Sequence, residues 1–309
     1  MATLGYIQIT RKCNQKCRFC SNPPNRNTLS FEQGKKDIDK YIKQGYDGVI
    51  LTGGEPTLSS HLAKFLSYCS QKEFQARIIT NGQKTANLQY LKKLKEAGLY
   101  HLHLSIYSIK PEIQAFLTQK KSSLKNIIET LKNLKKLGGI NVDINTVINK
   151  YNAGHLKDNV ILIVKRFPFI HHFVWNNIDP LMNRASKNID TIPKLNDFEL
   201  ELHKAMEFLE KNRRSFRVER VPLCYMSGFE HCSTETRKIV KQEERSVRFL
   251  DSKGYVRQTE WKYGKAKCCK NCFLNDICAG LYQMDTYYSS KELYPVFVSR
   301  EEIIKKILL

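Results

Sequence analysis

Between residues 4 and 176 the chain passes six times from a short run rich in Ile, Val, Leu or Thr into a longer stretch with helical spacing. The short runs fall at 4–10, 48–52, 76–80, 102–106, 142–147 and 172–175. They have the near-continuous apolar character of buried parallel strands. Helix signals fill the stretches between them. Ser30-Phe31-Glu32-Gln33 has the form of a capping box ahead of Ile38, Tyr41 and Ile42. Leu124, Ile127, Ile128, Leu131, Leu134 and Leu137 recur every three or four residues and make one apolar stripe. Gly45, Gly98 and Gly138 stand where three of these helices should stop. Six β-α units in series predict an α/β fold with a parallel sheet, curved into a six-stranded partial (β/α)6 barrel of TIM-like form.

After Asn176 the pattern changes. Pro180, Pro193 and Pro222 punctuate a stretch that holds one clear helix, over 196–212. Beyond Pro222 the chain is loop-rich, apart from a hairpin pattern with strands at 247–250 and 255–258 around Asp251-Ser252-Lys253-Gly254. This predicts a core barrel over 1–215 and a small, loop-rich, cysteine-rich extension over 216–309.

At 309 residues with 41% hydrophobic content, the chain can bury a substantial core. No apolar run approaches the roughly 20 residues needed to span a bilayer. Residues 1–10 lack the basic-then-apolar layout of a signal peptide. Both point to a cytoplasmic protein without a membrane partner, where ten cysteines are better explained as ligands than as disulfides. The net charge of +21 invites a nucleic-acid partner. But lysine outnumbers arginine and is spread over most helical segments, whereas a nucleic-acid footprint clusters on one face. The denser basic stretch over 213–270 is interrupted by Glu219, Glu230, Glu235, Glu243 and Glu244. It could meet an acidic peptide or a phosphorylated small molecule.

Chemistry concentrates just behind the first two strands. Cys13-x-x-x-Cys17-x-x-Cys20, with Phe19 before the last cysteine, follows the first; Gly53-Gly54-Glu55-Pro56 follows the second. Three thiolates in one tight loop can hold three irons of a cubane cluster and leave the fourth open for chemistry. Zinc is the competing reading, although zinc ribbons prefer paired Cys-x-x-Cys knuckles and no partner knuckle lies nearby. In β/α barrels functional residues sit at the carboxyl ends of strands, which is where both motifs fall.

Together these motifs resemble the radical S-adenosylmethionine (radical SAM) superfamily. That resemblance independently implies a six-stranded partial barrel. It also implies a [4Fe–4S] cluster on Cys13, Cys17 and Cys20 whose open iron is chelated by S-adenosylmethionine. One-electron reduction, by a donor such as flavodoxin or ferredoxin, would then release a 5′-deoxyadenosyl radical that abstracts hydrogen from a substrate. On the same resemblance, Phe19 packs near the adenine. Gly53 and Gly54 let backbone approach the methionyl ammonium, and Glu55 stabilises that charge or holds the loop. Ser105 and Asn145 touch the ribose and carboxylate. Asn81, in the polar turn Thr80-Asn81-Gly82, and Asn176 are weaker candidates, since Asn-Gly is a common turn and a strand asparagine can simply satisfy backbone.

A second array, Cys269-x-x-Cys272-x5-Cys278, precedes Ala279-Gly280. Cys224 is the expected fourth ligand, with Cys232 its competitor. The spacing resembles SPASM and twitch extensions, which hold auxiliary iron–sulfur clusters. Tyr282 stands where a further SPASM cysteine would be, so the resemblance implies one auxiliary [4Fe–4S] cluster. Structural zinc would suit four such thiolates too. Cys69 reads as a small core residue.

The resulting expectation is a radical SAM enzyme acting on a peptide or protein side chain. The alternatives are a small molecule in cofactor or natural-product biosynthesis and, less favoured, RNA. A non-catalytic metal-binding module is disfavoured by the open iron. Glu219, Arg220, Tyr225, Arg237 and Arg245 are placed between the two cysteine sites by sequence position alone.

Overall fold

The computed structural model describes residues 3–181 and 184–309. The six expected strands are all present: β1 (Leu4–Thr10), β2 (Gly48–Gly53), β3 (Gln75–Thr80), β4 (His101–Ser105), β5 (Asn141–Ile148) and β6 (His172–Asn177). The helices that follow β1 to β6 are α1 (Phe31–Lys43), α2 (Leu62–Gln71), α3 (Leu88–Glu96), α4 (Pro111–Thr118), α5 (Ser123–Leu137), α6 (Leu156–Arg166), α7 (Arg184–Lys187) and α8 (Leu195–Lys211). Ser30 caps α1 by accepting from the Gln33 amide at 3.2 Å, while the Gln33 side chain turns away to Asp37, so the expected box closes on one side only.

The sheet extends beyond six strands. β7 (Ser215–Glu219) adds in parallel beside β6. β8 (Arg245–Arg248) adds in parallel beside β1 and turns back into β9 (Tyr255–Gln258). The order β7-β6-β5-β4-β3-β2-β1-β8-β9 is an open, barrel-like sheet. Residues 216–309 therefore supply strands to both edges of the sheet as well as α9 (Thr234–Lys241), the cysteine-rich loops and α10 (Arg300–Leu308).

Each strand presents two different faces. Ile7, Ile9, Val49, Leu51, Ala76, Ile78, Leu102, Leu104 and Ile144 are buried under the helices. Their neighbours point the other way, since successive strand residues alternate faces. This inner face carries Gln8, Thr52, Arg77, His103, Asp143 and Asn145. The helix-covered face is mainly apolar, while the inner face mixes these polar side chains with Ile50, Ile79 and Val147. Its carboxyl-terminal rim holds the site. No described helix is long and apolar enough to cross a membrane.

Candidate functional site

The loop after β1 is held by backbone bonds to two neighbours. Lys16 and Arg18 donate their amides to Thr118 and Leu117 at the end of α4, at 3.1 and 2.9 Å. On the other side, Gly54 and Glu55 donate theirs to Thr10 and Lys12, both at 2.8 Å. A Cβ on Gly54 would lie 2.4 Å from the Lys12 carbonyl oxygen, and one on Gly53, whose φ is +141°, would lie 2.0 Å from that of Thr10. The pair of glycines is thus required by the close passage of the cysteine loop over the β2 turn. This explanation needs no ligand, unlike the ammonium approach that the resemblance implied.

Glu55 is buried and fully engaged. Its carboxylate accepts from the Thr57 hydroxyl and amide at 2.6 and 3.1 Å, from the Thr80 hydroxyl at 2.7 Å and from the Asn81 amide at 2.7 Å. Burial raises its pKa, and these donors work against that rise. Of the two roles expected for Glu55, holding the loop is the one these contacts perform.

One cavity of about 210 Å³ gathers Cys13, Cys17, Cys20, Phe19, Gly53, Gly54, Glu55, Asn81, Ser105 and Asn145. Asn176 does not line it. It donates to the Asn145 side-chain oxygen at 2.6 Å and so acts on the cavity through Asn145. Phe19 packs edge-on against Tyr107, with ring centroids 4.7 Å apart. The Asn81 side-chain nitrogen, Nδ2, lies 3.9 Å from Cys13 Sγ and donates to Asn14 Oδ1 at 2.8 Å. Burial pushes all three thiols up, Cys13 to about 11. A metal that binds them must displace those protons.

Several residues escaped the sequence reading. Tyr107 lines the cavity, and its spacing of two from Ser105 could have revealed it. Arg184 donates to the Cys17 carbonyl at 3.3 Å, and Arg11 joins Pro23 at 2.8 Å to Asp251 at 3.2 Å. Those two depend on contacts over 160 residues away or on a turn of β8–β9, and carry no local signal.

The second array sits in the loops before α10. The Val296 amide donates to Cys272 Sγ at 3.4 Å and the Gly280 amide to Cys278 Sγ at 3.3 Å. Such N–H···S bonds are used to tune cluster sulfurs. Cys224 is close enough to Cys278 and Cys269 for their charges to raise its pKa, after burial, to about 12. Cys232 instead feels burial, Arg217 and Arg237. Cys268 Sγ faces the Leu293 carbonyl at 3.4 Å. Cys224 is thus within electrostatic reach of Cys269 and Cys278, whereas the charges acting most on Cys232 are those of Arg217 and Arg237. The extension also docks on the barrel rim: Tyr288 donates to the Ile178 carbonyl at 2.9 Å, just past β6. Both cysteine groups thus belong to the carboxyl-terminal side of the barrel.

Cys69 is fully buried on α2, as a core residue should be.

The family model for the radical SAM superfamily matches residues 7–163, half of the chain. The chain belongs to the radical SAM superfamily. Its members are enzymes that work with a [4Fe–4S] cluster and S-adenosylmethionine. GTP 3′,8-cyclase of Aquifex aeolicus is 32% identical over 168 residues, covering 52% of this chain and 51% of that protein. Fe-coproporphyrin III synthase of Methanosarcina barkeri is 28% identical over 231 residues, covering 72% and 55%. The chain spans about half the length of the curated relatives it matches. Among solved structures, Streptococcus suis SuiB bound to S-adenosylmethionine superposes with a TM-score of 0.68 at 16% identity, covering 91% of this chain and 73% of that one. The enzyme anSMEcpe with bound AdoMet and Kp18Cys peptide gives 0.66 at 16% identity, covering 99% and 96%. These likenesses establish the partial radical SAM barrel as the fold.

Proposed function

We propose that this chain is a radical SAM enzyme that takes hydrogen from a peptide or protein side chain, with Cys13, Cys17 and Cys20 holding the cluster that binds S-adenosylmethionine. When bound and reduced by one electron, that pair supplies methionine and a 5′-deoxyadenosyl radical, which becomes 5′-deoxyadenosine on taking the substrate's hydrogen. The carrying observation is the convergence of three cysteines and the Gly53-Gly54-Glu55 turn on one cavity. Glu55 ties the β2 and β3 turns together, Phe19 and Tyr107 wall one side, and Ser105 and Asn145 offer polar contacts from the strand ends. A flavodoxin or ferredoxin would be the electron donor.

Cys224, Cys269, Cys272 and Cys278 would hold an auxiliary [4Fe–4S] cluster. In this reading residues 1–215 form the catalytic barrel, and 216–309 close its edges and carry the second cluster.

The peptide reading draws on solved neighbours whose structures hold a peptide, SuiB bound to precursor peptide SuiA and anSMEcpe with Kp18Cys peptide. The second reading, a small-molecule substrate, draws on the identity with GTP 3′,8-cyclase over the barrel. The test is anaerobic turnover with dithionite, S-adenosylmethionine and parallel panels of peptides and nucleotides. A peptide that raises 5′-deoxyadenosine at least about tenfold and itself loses hydrogen mass supports the proposal. The same result from a nucleotide alone would replace it with the second reading.

A further inference from the structure

The inner face of the sheet has two ends, and the end opposite the cysteine loop carries an unexplained cluster. His101 and His103 are two apart on β4 and share a face. The β4–β5 register sets Asp143 directly beside His103. His101 Nε2 lies 2.9 Å from Asp143 Oδ1 and His103 Nδ1 lies 3.2 Å from Oδ2. The two imidazoles are nearly parallel, 7° apart in plane with centroids separated by 4.7 Å, so each turns a nitrogen to the same carboxylate.

Hydrogen bonding to Asp143 accounts for only part of this arrangement: His101 Nε2 and His103 Nδ1 face the carboxylate, while His103 Nε2 is buried without a partner. Buried nitrogens left so are costly and call for an explanation. A cation held by the three side chains supplies one, because one ligand atom from each of His101, His103 and Asp143 lies within 4.8 Å of the other two. The two nitrogens stand 2.9 and 3.2 Å from the two oxygens of the carboxylate.

The cluster also has an entry. A cavity of about 320 Å³, lined by His101, Asp143, His171 and His172 among others, opens beside it. His172, which is bonded to the Ser215 hydroxyl at 2.8 Å, flanks the carboxylate across the β5–β6 register. The cavity leaves room for water to complete the coordination. Arg77 stands opposite His101 on β3 and within electrostatic reach of His103.

We propose that His101, His103 and Asp143 bind one divalent transition-metal ion of the zinc class, clamping β4 to β5 at the amino-terminal end of the barrel. Two imidazoles and one carboxylate are borderline-to-hard donors that suit zinc and related ions, and contain none of the thiolates that the two cluster sites use. The site stands at the end of the barrel associated with stability and is separate from the radical chemistry at the other rim.

The test uses the full chain, purified anaerobically with its clusters in place, incubated with one equivalent of zinc and desalted. Metal analysis should find about one zinc per chain, and zinc-edge X-ray absorption should show only nitrogen and oxygen neighbours near about 2.0–2.1 Å. Asp143→Asn and His103→Gln should each lower zinc affinity at least about tenfold while leaving iron content unchanged, and zinc should raise the melting temperature of the parent chain but not of the variants. Zinc retained at under a tenth of an equivalent, sulfur neighbours near about 2.3 Å, or equal retention by the variants would overturn the proposal. Should a variant fail to fold, the neighbour shell of the parent chain decides by itself.

Discussion

The Glu55 carboxylate accepts the backbone N–H of Asn81 at 2.7 Å, fastening the turn after β2 to the turn after β3 across the mouth of the barrel. With the Thr57 and Thr80 hydroxyls on the same carboxylate, this bond sets the shape of the wall facing the three cysteines. Glu55→Gln replaces one acceptor oxygen by a donor among groups that are themselves donors. It should weaken S-adenosylmethionine binding at least about tenfold and lower stability by about 1–3 kcal/mol, with iron content retained. Calorimetric titration of the anaerobic protein checks this. Unchanged affinity would show that the turn keeps its shape without Glu55.

Gly54→Ala tests the close passage of the cysteine loop. The added methyl would meet the Lys12 and Arg11 carbonyl oxygens at 2.4 and 2.6 Å, and backbone cannot rotate aside as a flexible side chain can. The cysteine loop should be displaced and iron should fall by about half, from about eight to about four per chain, because only the first of two cubanes is lost. Full iron with normal S-adenosylmethionine binding would contradict this account of the glycine.

The two contenders for the second site separate cleanly. Cys224→Ser should also remove about half of the iron, whereas Cys232→Ser should leave it intact. Cys224 lies within electrostatic reach of Cys269 and Cys278, while Cys232 faces Arg217 and Arg237. Iron and sulfide analysis after anaerobic reconstitution gives the answer, and the reverse pattern would reassign the ligand.

Buried Glu235 gives the fold a specific pH dependence. Burial, then the Glu219 charge, push its pKa from 4.5 up to about 7. Below about 4.5 it is protonated whether the chain is folded or not. As pH rises toward 7 the unfolded chain releases the proton first, so the folded state loses stability across that window, by on the order of 3 kcal/mol in all. Glu235→Gln keeps an acceptor for the Arg220 amide, which Glu235 holds at 3.0 Å, and removes the ionisation. Its stability relative to the parent should therefore be greater at pH 8 than at pH 5. Denaturant unfolding at both values checks this, and a pH-independent difference would contradict it.

Much of the barrel was legible because its determinants are local. The helix-facing Ile, Val and Leu of β1 to β6 and the stripe on α5 announce elements whose burial depends on spacing alone. The cavity lining was legible where a motif is contiguous, as in Cys13 to Cys20 and Gly53 to Glu55. It was less so where topology decides. Asn176 faces inward as expected, but its bond to Asn145 places it one residue behind the wall. The polar residues of the inner face were hidden because Ile50 and Ile79 share that face, so the short runs read as continuously apolar. β7 and β8 could not be placed by inspection, since β8 pairs with β1 some 240 positions earlier. Arg11 and Arg184 show the same limit. Each is a common surface residue type, given its role here only by a distant partner.

The central claim is that Cys13, Cys17 and Cys20 support reductive cleavage of S-adenosylmethionine. The most direct measurement is 5′-deoxyadenosine formed per chain by anaerobic, dithionite-reduced protein, compared with a variant in which all three cysteines are alanine. The account predicts formation by the parent chain and its loss, to no more than about a hundredth, in a variant that still carries about four irons on its second site. No 5′-deoxyadenosine from a fully iron-loaded parent chain, or equal amounts from the variant, would contradict it.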